Sequence, residues 1–266
     1  VAQPRARGVL HLGTKLSGKR TVVDRLYQAG SSKYLFPRSR SEGLEAVFLN
    51  TAGGVTGGDA FENSVQTKAG TTLTLTTQAC ERAYKAQPGQ IGKVRNTVQV
   101  TSGARVNWLP QETILFNDSA MDRQLSVDLD ERASFLMVEP LIFGRTAMGE
   151  VLTNIFFRDR IQIRKKGVPV YVDSMTLRGD VNAHLARRFI ANGALAMASL
   201  VYIADDAQAY LSKVRELLPE TGGASLLHDD TLVLRMLATD SFDLRQTLIP
   251  VISLLTGQDL PRCWMI

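Results

Sequence analysis

The chain has 266 residues, 44% of them hydrophobic and 21% charged, with a formal net charge of +5. That length supports a sizeable hydrophobic core, and the composition is that of a globular protein rather than a disordered one. Two cysteines far apart in sequence, Cys80 and Cys263, exclude a disulfide framework and a zinc knuckle, and a modest, scattered positive charge without a reading motif argues against nucleic acid as a partner.

The opening VAQPRARGVLHLG lacks an apolar signal core, and the longest apolar stretch, GALAMASLVYIA from Gly193, falls short of the roughly 20 residues a membrane span requires. A cytoplasmic protein with no membrane contact is expected. From there to about residue 180, period-two patterning dominates. TTLTLTT (71–77), KVRNTVQV (93–100), ARVNWL (104–109), RQLSVDLD (123–130) and ASFLMVE (133–139) alternate or are rich in β-branched and aromatic residues, as half-buried strands are. Polar turns near 69–70, 102–103 and 131–132 separate the arms of three such units, at spacings of about 33 and 29 residues. The pattern fits a winding stack of hairpin-like units and an ordinary antiparallel sheet with evenly spaced turns equally well. RIQIRKKGVPVYVD (160–173) reads as a hairpin turning at Lys165, Lys166 and Gly167.

Beyond residue 180 the period changes. DVNAHLARRFIANGALAMASLVYI is helical or mixed. DDAQAYLSKVRELLPE reads as an amphipathic helix capped by Asp205 or Asp206, with Ala209, Leu211, Val214, Leu217 and Leu218 as its buried stripe and Pro219 as its stop. A strand is expected around Leu232–Met236, then a helix opening at Ser241 or Asp243 and interrupted by Pro250. The expected fold is mainly β, as stacked antiparallel sheets or a β-helix-like winding of hairpins, with a small helical C-terminal portion. No linker divides it, so a single domain over 1–266 is expected, β-rich over 1–180 and mixed α/β over 181–266.

The stretch NTAGGVTGGDAF (50–61) has the glycines of a phosphate loop but not its chemistry. A carboxylate, Asp59, stands where a lysine would serve, and another strand follows instead of a helix. Gly53, Gly54, Gly57 and Gly58 therefore serve positive backbone φ or close approach at a sharp crossing. Asp59 either caps free amides in that turn or faces a wet cleft. His11, His184 and His228 stand alone, and no nucleophile elbow or zinc-protease helix occurs. Read from residue types alone, Asp59, Glu112, Glu139 and Glu150 leave open a β-rich hydrolase acting on carbohydrate or a small molecule through paired carboxylates.

Five ordered blocks carry a resemblance. TAGGVTGGDAF, AGTTLTLTTQACERAYKA, GARVNWLPQETILFNDS, FGRTAMGE and the final PRCW resemble the urease accessory protein UreD (UreH) family, from about residue 43 onward. WLPQE at Trp108–Glu112 and GGD at Gly57–Asp59 are the most specific parts. The chain departs from the family at Thr51-Ala52, where prolines are common, and at Glu81-Arg82-Ala83-Tyr84-Lys85. The resemblance implies a non-catalytic scaffold of wound, stacked sheets. It would bind the accessory proteins UreF and UreG and the urease apoprotein, with no tightly bound cofactor and nickel in transit through an internal wet passage. By the same resemblance, Asp59 is the first candidate for that passage, followed by Glu62 and Glu150. Tyr84, Trp108, Phe116, Arg145 and Trp264 are the candidates for partner contact. Spaced carboxylates suit such a passage, because they attract an ion without holding it.

Overall fold

The structure is a computed structural model and describes residues 3–38 and 41–265. Alternating segments form strands through most of the chain. A lead-in of β1 (Arg7–Ser17), β2 (Arg20–Gly30) and β3 (Ser32–Leu35) precedes the winding strands β4 (Leu44–Asn50), β5 (Ala60–Thr67), β6 (Thr72–Thr77), β7 (Glu81–Ala83), β8 (Gly92–Val100), β9 (Arg105–Leu109), β10 (Thr113–Leu115), β11 (Ala120–Leu129) and β12 (Ser134–Phe143). Then come β13 (Ile155–Lys165), β14 (Val168–Gly179), a short α1 (Val181–Leu185), β15 (Ala196–Ile203), α2 (Ala207–Leu217), β16 (Gly222–His228), β17 (Thr231–Ala238) and α3 (Ser241–Thr256).

Two sheets face each other. The first has the order β14-β13-β11-β8-β5-β1-β2 and the second β16-β17-β15-β12-β9-β6-β4-β3. The two arms on either side of each polar turn lie in different sheets and do not pair with one another. Each strand stacks instead in parallel on its counterpart one unit away: Thr72 lies beside Arg105, and Arg105 beside Ser134. The first sheet repeats this, with Ala60 beside Lys93 and Gly92 beside Met121. The spacing seen in the sequence is therefore the register of a winding chain, as in a β-helix, with antiparallel pairing kept for the flanks. The expected hairpin at Lys166 is one of these flanks, β13 against β14.

The glycine stretch is the corner of the first unit. It leaves the second sheet after β4, touches it again through a bridge between Val55 and Ala83, and enters the first sheet at β5. Gly54 has φ +159 and a Cβ there would collide with the Tyr84 ring, while one on Gly57 would lie 2.8 Å from the Ala86 Cβ. Close approach and left-handed backbone are both needed here, so residues with side chains are excluded.

Inward side chains form two apolar clusters between the sheets. One is built around Leu10, Leu73, Val106, Leu125, Phe135 and Ile163, the other around Phe61, Leu115, Met121, Leu141, Phe143 and Phe157. A third covers the outer face of the second sheet, where α2 and α3 pack on β15 and β17. This double burial explains why β12 is apolar on both faces except at Ser134 and Glu139, with nine of its ten residues buried. The stripe of α2 differs in phase from the sequence reading. Ala207 and Val214 are buried with Tyr210, Leu211 and Leu218 beside them, whereas Ala209 and Leu217 face solvent. The helix starts where the expected cap puts it, at Ala207 after Asp206, and Ala207 is wholly buried. Asp206 occupies the N-cap position, but its side chain accepts from the Tyr202 hydroxyl at 2.7 Å rather than from the helix amides. Pro250 lies inside α3, whose N-cap is Asp240. Phe135 is wholly buried, so Phe135→Ala is expected to lower the unfolding free energy by about 3–5 kcal/mol, measured by urea denaturation.

Candidate functional site

Between the two apolar clusters lies a polar layer. Along β11, β12 and β13 the inward series is hydrocarbon on either side of one charged residue: Arg123 between Met121 and Leu125, Glu139 between Met137 and Leu141, Asp159 between Phe157 and Ile161. The three meet. Arg123 donates from Nε to Asp159 Oδ1 at 3.0 Å and from Nη2 to Oδ2 at 2.6 Å, and its Nη1 lies 2.6 Å from Glu139 Oε2. Nη1 also donates to Thr113 Oγ1 at 3.1 Å, and the Trp108 indole donates to Glu139 Oε1 at 2.7 Å. In the second sheet Glu139, Ser199 and Arg235 sit side by side across three strands, and Arg235 pairs with Asp173 of the first sheet.

A break in the strands makes room beside this layer. β9 stops at Leu109 because Pro110 has no amide to give the ladder, and β10 resumes at Thr113. β6 and β7 are interrupted at the same level. β12 runs straight through, pairing with β9 up to Met137 and with β10 from Leu141, so that Pro140 falls in the gap where no donor is needed. The resulting inner cavity of about 80 Å³ is lined by Tyr34, Asn63, Glu81, Asn96, Trp108, Gln111, Thr113, Arg123 and Glu139 among others. One water needs roughly 10–15 Å³, so it has room for several.

This cavity shares walls with its neighbours. A cleft of about 120 Å³ at the 78–82 loop meets it at Phe48, Thr77 and Glu81. On the other side, a cavity of about 10 Å³ shares Arg123 and Glu139 with it and adds Asp159, Asp173, Met175, Met197 and Ser199. Asp173 in turn borders an open groove of about 520 Å³ between β14 and β16. Four hollows thus adjoin in series across the molecule, with Glu62, Glu81, Glu139, Asp159 and Asp173 as their acids. Burial pushes the carboxyls of Glu81 and Glu139 above the usual carboxylate range. For Arg123, burial works against the charged form, but Asp159 and Glu139 outweigh it and its pKa is raised.

The residues singled out in the sequence distribute unevenly. Glu62 borders the inner cavity. Asp59 is buried and caps the glycine corner, with Oδ1 accepting from the Ala6 amide at 2.8 Å and Oδ2 from the Thr56 amide at 2.9 Å. Glu150 is held by Arg145, whose Nε and Nη2 each donate at 3.0 Å, and that pairing holds its carboxyl below the usual range. The three are not brought together, and among the described residues no three or more His, Cys, Asp or Glu gather as a metal site. Trp108, Phe116 and Trp264 are buried, so none of them is a surface anchor in the chain alone. Tyr84 is half-buried and packs edge-on to Phe116 at 5.0 Å, with the exposed Arg145 guanidinium 4.3 Å from the Phe116 ring centre.

Trp264 donates to the Leu109 carbonyl at 3.0 Å, and Arg245 holds Gln111 at 2.8 Å, Glu112 at 2.9 Å and the Trp264 carbonyl at 2.7 Å. The WLPQE and PRCW blocks are therefore two sides of one clasp. Glu112, Glu139, Glu150 and Asp59 each answer to a separate cation or amide pair, and the paired carboxylates that a hydrolase needs are not found among these four. Glu81, Asp159 and Asp173 were not visible as site residues. Their only signal was a charged residue interrupting an apolar alternation, as in RDRIQI.

Removing the guanidinium leaves two buried carboxylates facing each other. Arg123→Met is expected to lower stability by about 3–5 kcal/mol at neutral pH. Burial holds the Glu139 carboxyl above the usual range and favours its protonated folded form, so stability lost as pH rises through that value returns as pH falls. The deficit against the parent protein should narrow on acidification, read from denaturation at a series of pH values.

A family model described as UreD urease accessory protein matches residues 6–265, well before the residue-43 start of the sequence blocks. A urease accessory protein UreD of Ruegeria pomeroyi is 58% identical over 97% of this chain and 100% of its own length. The UreD proteins of Roseobacter denitrificans and Rhizobium etli are 50% and 46% identical, each over 98% of this chain and over 96% and 95% of their own lengths. A match over nearly the whole chain, together with relatives 46–58% identical along it, shows that this protein belongs to the UreD family of urease accessory proteins.

Proposed function

We propose that the chain is a urease maturation scaffold that binds the UreF and UreG accessory proteins and immature urease, and that nickel reaches urease through the row of hollows between its sheets. The observation that carries this reading is the series itself, four adjoining hollows from the 78–82 loop to the β14–β16 groove with an acid in each. Nickel is cargo here, not a resident cofactor. Acids spaced along a wet route draw a cation inward, and because no three converge, none retains it. Each acid is already held by an amide, an arginine or an indole, which keeps the interior near neutrality without an ion.

UreF docking is assigned in this reading to the corner where Arg145 stacks on Phe116 beside Tyr84. Met148 and Val151 stand exposed there, 73% and 49% accessible. Free Cys80 and Cys263 suit a reducing compartment, and no helix among the described residues is long and apolar enough to cross a membrane. This reading assigns the work to the cytoplasm.

Two experiments test this. Glu81→Gln and Asp173→Asn should each slow nickel-dependent urease activation in a reconstituted assembly by about tenfold, equivalent to about 1.4 kcal/mol, while co-purification with UreF and UreG is unchanged. Full activation by both variants would refute the route. Separately, Met148→Glu should weaken UreF retention on the immobilised chain without shifting its thermal midpoint, and undiminished retention would move the docking surface elsewhere.

A further inference from the structure

Among the described residues, the inner cavity and the small cavity beyond it share only Arg123 and Glu139. Arg123 is 8% exposed, and its guanidinium spans from Glu139 on one sheet to Asp159 on the other, 2.6 Å from each. On the near side the wall mixes apolar side chains with Glu62, Glu81, Asn63, Asn96 and Gln111, whose buried Nε2 has no partner among the described residues and so calls for water. On the far side the wall carries Asp159, Asp173, Ser199 and two methionine thioethers. A resident cation thus sits in the narrowest part of a polar route, on a pair of anions that any other cation would need.

We propose that Arg123 is a gate, and that a divalent cation moves between the two cavities by displacing its guanidinium and taking Glu139 and Asp159 as transient ligands. This rests on the passage reading above and adds the step that regulates it. With the arginine in place the three charges sum to minus one, and a dication drawn into the inner cavity by Glu62 and Glu81 meets the guanidinium before it can reach Asp159. Once the guanidinium has swung away, the dication neutralises both carboxylates, and their tether to Trp108 keeps one of them in position. The Phe157 ring, 5.7 Å from the guanidinium carbon, offers the displaced cation a face to rest on. Two protein oxygens completed by water make a weak site, and the tethered arginine competes for both, so the ion is expelled as readily as it enters. The exchange breaks no covalent bond and needs no proton transfer.

The test uses nickel(II) and the purified 266-residue chain. Arg123→Gln opens the pair, so nickel should raise its thermal midpoint and bind by calorimetry about tenfold or more tighter than to the parent chain. Glu139→Gln added to it should abolish that gain. Because the glutamine variant loses a buried countercharge, Arg123→Lys, which keeps the charge but not the two-sided reach, is measured in parallel, with circular dichroism to show that each is folded. The gate is overturned if folded R123Q and R123K bind nickel no tighter than the parent. Loss of urease activation in E81Q and D173N together with that result leaves the passage standing without a gate. Tight binding by R123Q with normal activation in E81Q and D173N leaves the exchange site standing and removes the passage.

Discussion

Arg123 brings a full positive charge into a space where both neighbouring layers are hydrocarbon, and its two carboxylates come from opposite sheets, Glu139 on β12 and Asp159 on β13. A buried ion triad of this sort adds little stability compared with well-packed apolar residues, but any arrangement that separates its members is heavily penalised. Its structural effect is therefore specification. Slipping β11 or β13 by one residue would turn Arg123 or Asp159 to the outer face and drive an outward polar residue into the core. The triad fixes the spacing of the two sheets and the register of three strands at once, and it separates two apolar clusters that would otherwise merge.

The hollow beside it follows from a different device. Winding strands could run unbroken through the second sheet, as β12 does, but Pro110 and the 78–80 interruption split the coils next to it into short paired segments. Backbone that leaves a ladder must find other partners. Here Thr77 Oγ1 accepts from the Gln111 amide at 2.9 Å, and Asn50 donates to Glu81 at 3.2 and 3.3 Å. Side chains that replace the ladder in this way give the cavity its polar wall. With imidazole and thiolate scarce, the polar atoms that reach this largely apolar hollow are those of carboxylate, amide and hydroxyl groups.

Much of the fold was legible because alternation and turn chemistry are local. TTLTLTT, KVRNTVQV and ARVNWL are strands within a residue or so of where the pattern put them, and the turns at 69–70, 102–103 and 131–132 stand where the polar pairs are. What a strand pairs with is not local. Arms on either side of a short turn look like a hairpin in sequence, whereas their true partners lie one unit away. The site was less legible for the same reason. Asp59 stood out through its motif, yet that motif follows from the backbone it caps. Glu81, Asp159 and Asp173 look like ordinary strand acids until the winding decides which side of the sheet faces in. Glu139 was considered as an acid with a use, but its partner was invisible, because nothing in VEP points to an arginine sixteen residues earlier.

The clasp of Arg245 and Trp264 on Leu109–Glu112 has a bearing on biosynthesis. Strands β4 to β12 are translated long before α3, and they can wind upon one another as they emerge, each coil templating the next. The segment that bounds the hollow remains unpinned until Trp264 leaves the ribosome, more than 150 residues after the part it secures. The order of synthesis thus runs from the wound framework to the clasp that bounds its interior.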